Sequence, residues 1–323
     1  MKKSVLLMAL LVLAAPFAGM AAEIIFSGQS NDQFDLYKAD LSNNQVTRLT
    51  NTEADELMPC VSPDRRRVVF VSDRQGANSL YLLSLDNAQQ VDYVSVGAGA
   101  YANPQFTPDG SKILAKYAPD PEAPFANTQI VELDLQAKKQ RVLIDSKKLA
   151  VPSSSETVAV VDRPLQVSEN LLVYILAELA DEISGRTTRS TLYMYDLKNG
   201  KHIRMGGGES YFTESGRPMG FKATMPTLIE ESESRKYVAF AAIRGNIERE
   251  PMQVSLTGSG KGGVALNDAN YFGPLLFADN TWIYGTMDEK SVTGIAYKSA
   301  ALDARPQQLK FEGSIIYPSL LKP

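Results

Sequence analysis

The chain has 323 residues, 44% hydrophobic and 22% charged, which is enough apolar content for a large core and too evenly mixed for a disordered or fibrous protein. A formal charge of −4 without a basic tract argues against a nucleic-acid partner. The single cysteine, Cys60, excludes an intramolecular disulfide and reads as a small buried hydrophobe.

Residues 1–22 read as a cleaved signal peptide. Lys2 and Lys3 form a positive start, Val5 to Ala15 an apolar run, and Gly19-Met20-Ala21 supplies the small residues that a signal peptidase reads. The run is short and is followed by Pro16, so no integral membrane segment is expected after cleavage. Residues 23–323 are then the mature protein, exported to the periplasm.

The mature chain reads as short strands. Glu23 to Ser27, Phe34 to Leu41 and Gln45 to Thr50 come first, with nothing before them to pair with Glu23 to Ser27. The clearest unit follows: a strand from Met58 to Ser62, the turn Pro63-Asp64, a Val- and Phe-rich strand from Arg67 to Ser72, a loop, and a strand from Leu80 to Leu85. Pro104 to Gly110 repeats this unit 45 residues on, with Pro108-Asp109 as its turn, Lys112 to Tyr117 as second strand and Thr128 to Leu135 as third. A period of roughly 40 to 45 residues with four strands per unit is the signature of a propeller blade.

Later units keep the spacing with looser motifs. Arg163 to Ser168, Leu171 to Glu178, Thr191 to Leu197 and Lys201 to Met205 form one, with a hairpin at Asn199-Gly200. A fifth starts at Met225-Pro226 and a sixth at Gly273-Pro274. The chain ends in Ile315 to Leu321, an innermost strand with no second strand after it. It fits the gap at the N-terminus. The expected fold is therefore all-β: a six-bladed β-propeller of four-stranded blades, closed by pairing the C-terminal strand with the N-terminal blade.

Pro59-x-x-Ser-Pro-Asp64, Pro104-x-x-Thr-Pro-Asp-Gly110, Val69-Phe70-Val-Ser-Asp-Arg-x-Gly76 and Arg48-Leu49-Thr50 resemble the WD-like repeats of TolB-type propellers. The resemblance implies the fold and the compartment. It covers the propeller only, without the α/β domain that precedes it in full-length members of that family.

Short turns fall on one face, and the longer connections on the other: Ala118 to Asn127, Asp145 to Asp162, Leu179 to Arg189, Gly206 to Thr224 and Arg244 to Glu250. Binding tends to sit on long loops held by a rigid scaffold. Residues just before each innermost strand should ring the channel mouth on that face: Glu56, Tyr101, Arg163, Lys222, Tyr271 with Phe272, and Tyr317. Tyr211, Phe212 and Arg217 join them from the glycine-rich connection. Aromatics mixed with both charge signs suit a protein or peptide partner.

Enzymatic signals are weaker. His202 is the only histidine and falls in an expected exposed hairpin, so neither a Ser-His-Asp triad nor a multi-histidine metal site can form at the mouth. Gly258-Ser-Gly-Lys261 lacks the flanking residues of a phosphate loop. Asp55-Glu56 and Asp181-Glu182 could serve acid/base chemistry or hold calcium, but read better as solvated loop charge. The reading is a monomeric, non-enzymatic scaffold without cofactor, binding an envelope protein or peptide. The alternatives are a carbohydrate-active hydrolase or lyase using mouth carboxylates, and a small-ligand or calcium-binding module.

Overall fold

A computed structural model describes residues 22–87, 90–149, 157–180, 186–212, 218–232, 235–244, 248–256, 261–263, 266, 268–301 and 304–322. The described strands form six antiparallel sheets arranged as the blades of a ring. Blade one holds β1 (Glu23–Ser30), β2 (Gln33–Asp40) and β3 (Gln45–Arg48). Blade two holds β4 (Glu56–Val61), β5 (Arg67–Ser72), β6 (Ser79–Ser84) and β7 (Val91–Tyr93). Blade three holds β8 (Ala100–Phe106), β9 (Lys112–Ala118), β10 (Gln129–Asp134) and β11 (Lys139–Asp145). Blade four holds β12 (Val158–Ser168), β13 (Leu171–Leu179), β14 (Thr187–Asp196), β15 (His202–Phe212) and β16 (Pro218–Gly220). Blade five holds β17 (Lys222–Ser232), β18 (Arg235–Arg244), β19 (Glu248–Ser255) and β20 (Lys261–Gly263). Blade six holds β21 (Tyr271–Ala278), β22 (Thr281–Met287), β23 (Thr293–Ser299) and β24 (Gln307–Gln308). The last strand, β25 (Ile315–Lys322), is the inner strand of blade one, antiparallel to β1.

Period-2 geometry explains why the middle strands read as continuous apolar runs. Val68 and Phe70 of β5 pack toward blade one with Ile25, Leu36 and Leu321. Val69 and Val71 point the other way, into blade three with Tyr101, Phe106 and Ile113. Each blade is thus buried on both faces. The same pattern recurs between blades three and four, four and five, and five and six. Ile283 and Tyr297 of blade six close the ring on Ile24 and Phe26 of blade one.

The turns are fixed locally. In the β4–β5 turn the Asp64 carboxylate accepts from Ser62 Oγ at 2.5 Å and from the Arg66 N–H at 3.1 Å. The β8–β9 turn repeats this with Asp109, Thr107 and Ser111. These hydrogen bonds hold both carboxyls below their ordinary value, the hydroxyls of Ser62 and Thr107 acting most strongly.

Blade four departs from four strands, because β15 runs on past its expected end and pairs with β16 through Tyr211↔Met219 and Phe212↔Pro218. The stretch 206–224, expected to be a loop, is therefore largely strand. His202 is corrected as well. It is half-buried, with Nδ1 2.9 Å from the Tyr174 hydroxyl and its ring 4.6 Å from that of Tyr195, and burial lowers its pKa. Residues 1–21, the pair Asp181-Glu182, and 258–260 lie outside the described residues. No helix among the described residues is long and apolar enough to cross a membrane.

Candidate functional site at the channel ring

Every innermost strand carries an X-Pro pair, and in all six the residue before proline is left-handed. The φ values are 55° at Met58, 49° at Asn103, 51° at Arg163, 51° at Met225, 95° at Gly273 and 53° at Tyr317. Non-glycine residues rarely occupy this region, and the proline ring further restricts its predecessor, so the five positions other than Gly273 are strained and held by the fold. The ladder to the second strand shifts register at the same place in each blade. Proline has no N–H to give, and a bulge is where a strand can spare one. Six bulges around the axis form a ring.

The ring borders a cavity of about 230 Å³ to which all six inner strands contribute. Met58, Met225 and Tyr317 give it an apolar side, Asn103 and Arg163 a polar one. Adjacent blades are tied together there. Asn103 Nδ2 donates to Asp162 Oδ1 at 2.7 Å, and Thr227 Oγ1 to the Leu275 carbonyl at 2.5 Å. The Val61 N–H donates to Ser319 Oγ at 3.1 Å.

Of the residues expected at the mouth, Arg163 and Tyr317 are in this ring. The others sit upstream because each inner strand begins earlier than its proline suggests, with the segment before the bulge still paired. Glu56 is buried, its Oε1 accepting from Thr52 Oγ1 at 2.5 Å and Arg74 Nη2 at 2.6 Å. Its neighbour Asp55 accepts the Phe34 N–H at 2.9 Å. Tyr101 is also buried. Its hydroxyl accepts from the Gly97 N–H at 2.8 Å and donates to Gln140 Oε1 at 2.5 Å, and burial pushes it up to about 12. Tyr271 is only 4% exposed. Lys222 donates to the Thr187 carbonyl at 2.6 Å, and burial, helped by nearby Arg186, lowers its pKa. Phe272 is half-buried under Arg249. Tyr211 and Phe212 lie in β15 rather than a loop, and Arg217 falls outside the described residues.

Met58, Asn103, Met225 and Gly273 were not among the expected residues. The signal that locates them is the X-Pro dipeptide, present once in every inner strand. Arg249 was also missed, since nothing in the sequence distinguishes it from other loop cations. Among the described residues, no group of three or more His, Cys, Asp or Glu side chains is placed to hold a metal ion.

Six sheets around a bulged ring define a β-propeller with a cavity bordered by its innermost strands. Residues 3–162 match the family model described as the TolB beta propeller domain, so this stretch carries the TolB-type propeller repeat, as its motifs imply. Solved structures similar in fold include TolB from Acinetobacter baumannii, with a TM-score of 0.63, 15% identity, and 94% of this chain and 67% of that chain covered. Hydrazine synthase of Kuenenia stuttgartiensis gives a TM-score of 0.65 at 10% identity, over 94% of this chain and 47% of that one. A chain of the nidogen/laminin complex gives 0.59 at 9% identity, over 93% and 98%. At such identities the likeness is one of fold.

Proposed function

We propose that this TolB-type propeller is an exported, non-enzymatic scaffold of the bacterial envelope that binds a protein or peptide segment at the long-loop face of its channel. The observation that carries the reading is the ring. Five strained bulges and a sixth at Gly273 present Met58, Asn103, Arg163, Met225 and Tyr317 around one axis, apolar on one side and polar on the other. Strain of this kind persists where the surroundings over-determine it, and it accumulates at binding positions. An extended segment end offers both an apolar side chain and polar backbone groups to such a ring. The leader-like residues 1–22 support export.

The test is a photo-crosslinking amino acid placed at Met58 or Tyr317 in the ring, or at Asp64 or Asp109 in the short turns of the opposite face. A discrete adduct in periplasmic extracts from the ring positions alone is expected. Adducts from the short turns only, or none from the ring, would reject the docking face.

A further inference from the structure

Blade four alone holds a fifth strand among the described residues. Its β15 runs on to pair with β16 at Ser210↔Gly220, and beside that pair lies a second cavity, of about 410 Å³. This cavity shares no lining residue with the one at the channel and is the larger of the two. The strand register sets its walls. Leu176↔Thr191↔Gly207 form one row across β13, β14 and β15, and Glu178↔Arg189↔Glu209 form the next. On the other side of the first row, Tyr193 pairs with Arg204. Alternation along β13 and β14 puts these rows on one face of the sheet, and every one of these residues lines the cavity.

The cavity carries opposite charges that its own side chains match incompletely. In the acidic row a single guanidinium serves two carboxylates. Arg189 Nη2 donates to Glu209 Oε1 at 2.6 Å, while its Nη1 stands 3.7 Å from Glu178 Oε1, beyond hydrogen-bond reach. Yet Glu178 is the more deeply buried acid, its side chain 4% exposed against 57% for Glu209. A buried carboxylate without a hydrogen-bond donor is costly, so this row is set to receive a positively charged N–H group. Arg204 is the opposite case. It donates to the Gly207 carbonyl and has no carboxylate partner among the described residues. Gly208 makes room for it, since a Cβ there would lie 3.3 Å from Arg204 Nη2. A guanidinium has five N–H groups, so others remain for an anion.

We infer that this cavity binds a small zwitterion, a free amino acid or a dipeptide, with its ammonium between Glu178 and Glu209 and its carboxylate on Arg204. The Arg204 head is held at the Gly207 row, one row from the acids, and neighbouring rows lie about 7 Å apart. A molecule with both charges on a short chain bridges that span. An amine or an acid alone satisfies one end and leaves the other as it was, which is the basis of the selectivity. Leu176, the Tyr193 ring and Phe221 give the chain between the charges an apolar wall. The volume is that of a small-molecule site. The site is separate from the channel and does not depend on the docking reading above.

The test is calorimetric titration of the full mature chain with leucine and with leucylleucine. Two half-molecules serve as controls: isopentylamine, which is leucine without its carboxylate, and isocaproate, which is leucine without its ammonium. At least one zwitterion should bind, and each half-molecule should bind at least about tenfold more weakly. Glu178→Gln and Arg204→Gln should each weaken zwitterion binding by about tenfold. Each should also erase one preference: Glu178→Gln that over isocaproate, Arg204→Gln that over isopentylamine. A merely structural role would not divide the two preferences in this way. Arg204 is exposed, so its variant keeps the test open if Glu178→Gln fails to fold, and thermal melting reports which variants are folded. Binding of leucine without leucylleucine assigns the cavity to free amino acids, and the reverse assigns it to dipeptides. No binding of either zwitterion at about millimolar concentration, half-molecules binding as tightly as leucine, or unchanged affinity in the folded variants overturns the site.

Discussion

Arg74 reaches back from the β5–β6 turn to donate to Glu56 at 2.6 Å, and the same guanidinium lies 4.5 Å over the Tyr81 ring. Glu56 has no exposed side-chain surface, and Asp35, held by Arg48, is equally buried nearby. Burial raises the Glu56 pKa, and the Thr50 and Thr52 hydroxyls and Arg74 only partly oppose it. Removing the cation while leaving the buried acid is the expensive change. Arg74→Ala should cost about 3 kcal/mol at neutral pH in urea unfolding. A cost under about 0.5 kcal/mol would mean that the pair is solvated.

The same residue sets a pH dependence whose sign differs from that of an ordinary surface carboxylate. The folded protein holds the Glu56 proton more tightly than the unfolded chain, whose value is near 4.5. Between 4.5 and the raised value the native state binds more protons, so this site's contribution to stability falls as pH rises through that window. Glu56→Gln should flatten that part of the curve. A stability profile identical in slope to wild type would show that Glu56 does not titrate there.

Ring closure depends on β25. It supplies the inner edge of β1 through pairs such as Ile25↔Ser319, and Leu321 packs with Ile25, Leu36, Val68 and Phe70. Deleting residues 317–323 should unpair that edge and open the interface between blades one and two. The expected result is loss of a single cooperative thermal transition and appearance of hydrophobic-dye binding. Leu321→Ala is the milder version, expected to cost about 2–4 kcal/mol. A truncated chain melting like wild type would contradict closure through this strand.

The blades were legible because their signals are local. Asp64 and Asp109 cap their own turns, and Val68 to Val71 buries both faces of one strand, so a short window contains the whole reason for each. Closure by Ile315 to Leu321 was legible as well, since an orphan strand at each end leaves one solution. The site was less so. Tyr101 and Tyr271 look like surface aromatics in sequence, yet Tyr101 finds Gln140 across 39 residues and Tyr271 packs between Ala241 and Leu275. The X-Pro dipeptides were visible, but a proline reads equally as a strand start or as a bulge inside one. Only the ladder register separates the two. Arg249 finds its partner in Phe272 on another blade, which no periodicity reports.

Two glycines separate lack of space from backbone strain. A Cβ at Gly285 would lie 2.2 Å from the Gly273 carbonyl oxygen, which belongs to the ring and cannot retreat without moving the bulge. Gly285→Ala should cost about 2–3 kcal/mol and disturb ring crosslinking as well. Gly76 has open space around it but a φ of 93°, so Gly76→Ala should cost about 1 kcal/mol and leave the ring untouched. Chemical denaturation of both variants measures the difference. Equal costs would remove the close approach at Gly285 as an explanation.

Cys60 tests whether the inner strand is closed to solvent at its short-turn end. It follows Pro59 of the ring, is 8% exposed, and its Sγ lies 3.4 Å from Gln105 Oε1. Burial pushes its thiol up to about 11 against the opposing influence of the Phe106 backbone. At pH 8 a thiol of that kind is roughly one part in a thousand thiolate, against about a quarter for a free cysteine, and the thiolate is the reactive form. Restricted access slows alkylation further. Iodoacetamide labelling of the folded chain should therefore be more than about a hundredfold slower than of the chain in urea, with mass spectrometry reading the adduct. A folded rate within tenfold of the unfolded one would mean that β4 and β8 separate readily, since the thiol becomes reactive only when Gln105 and Phe106 move away from it.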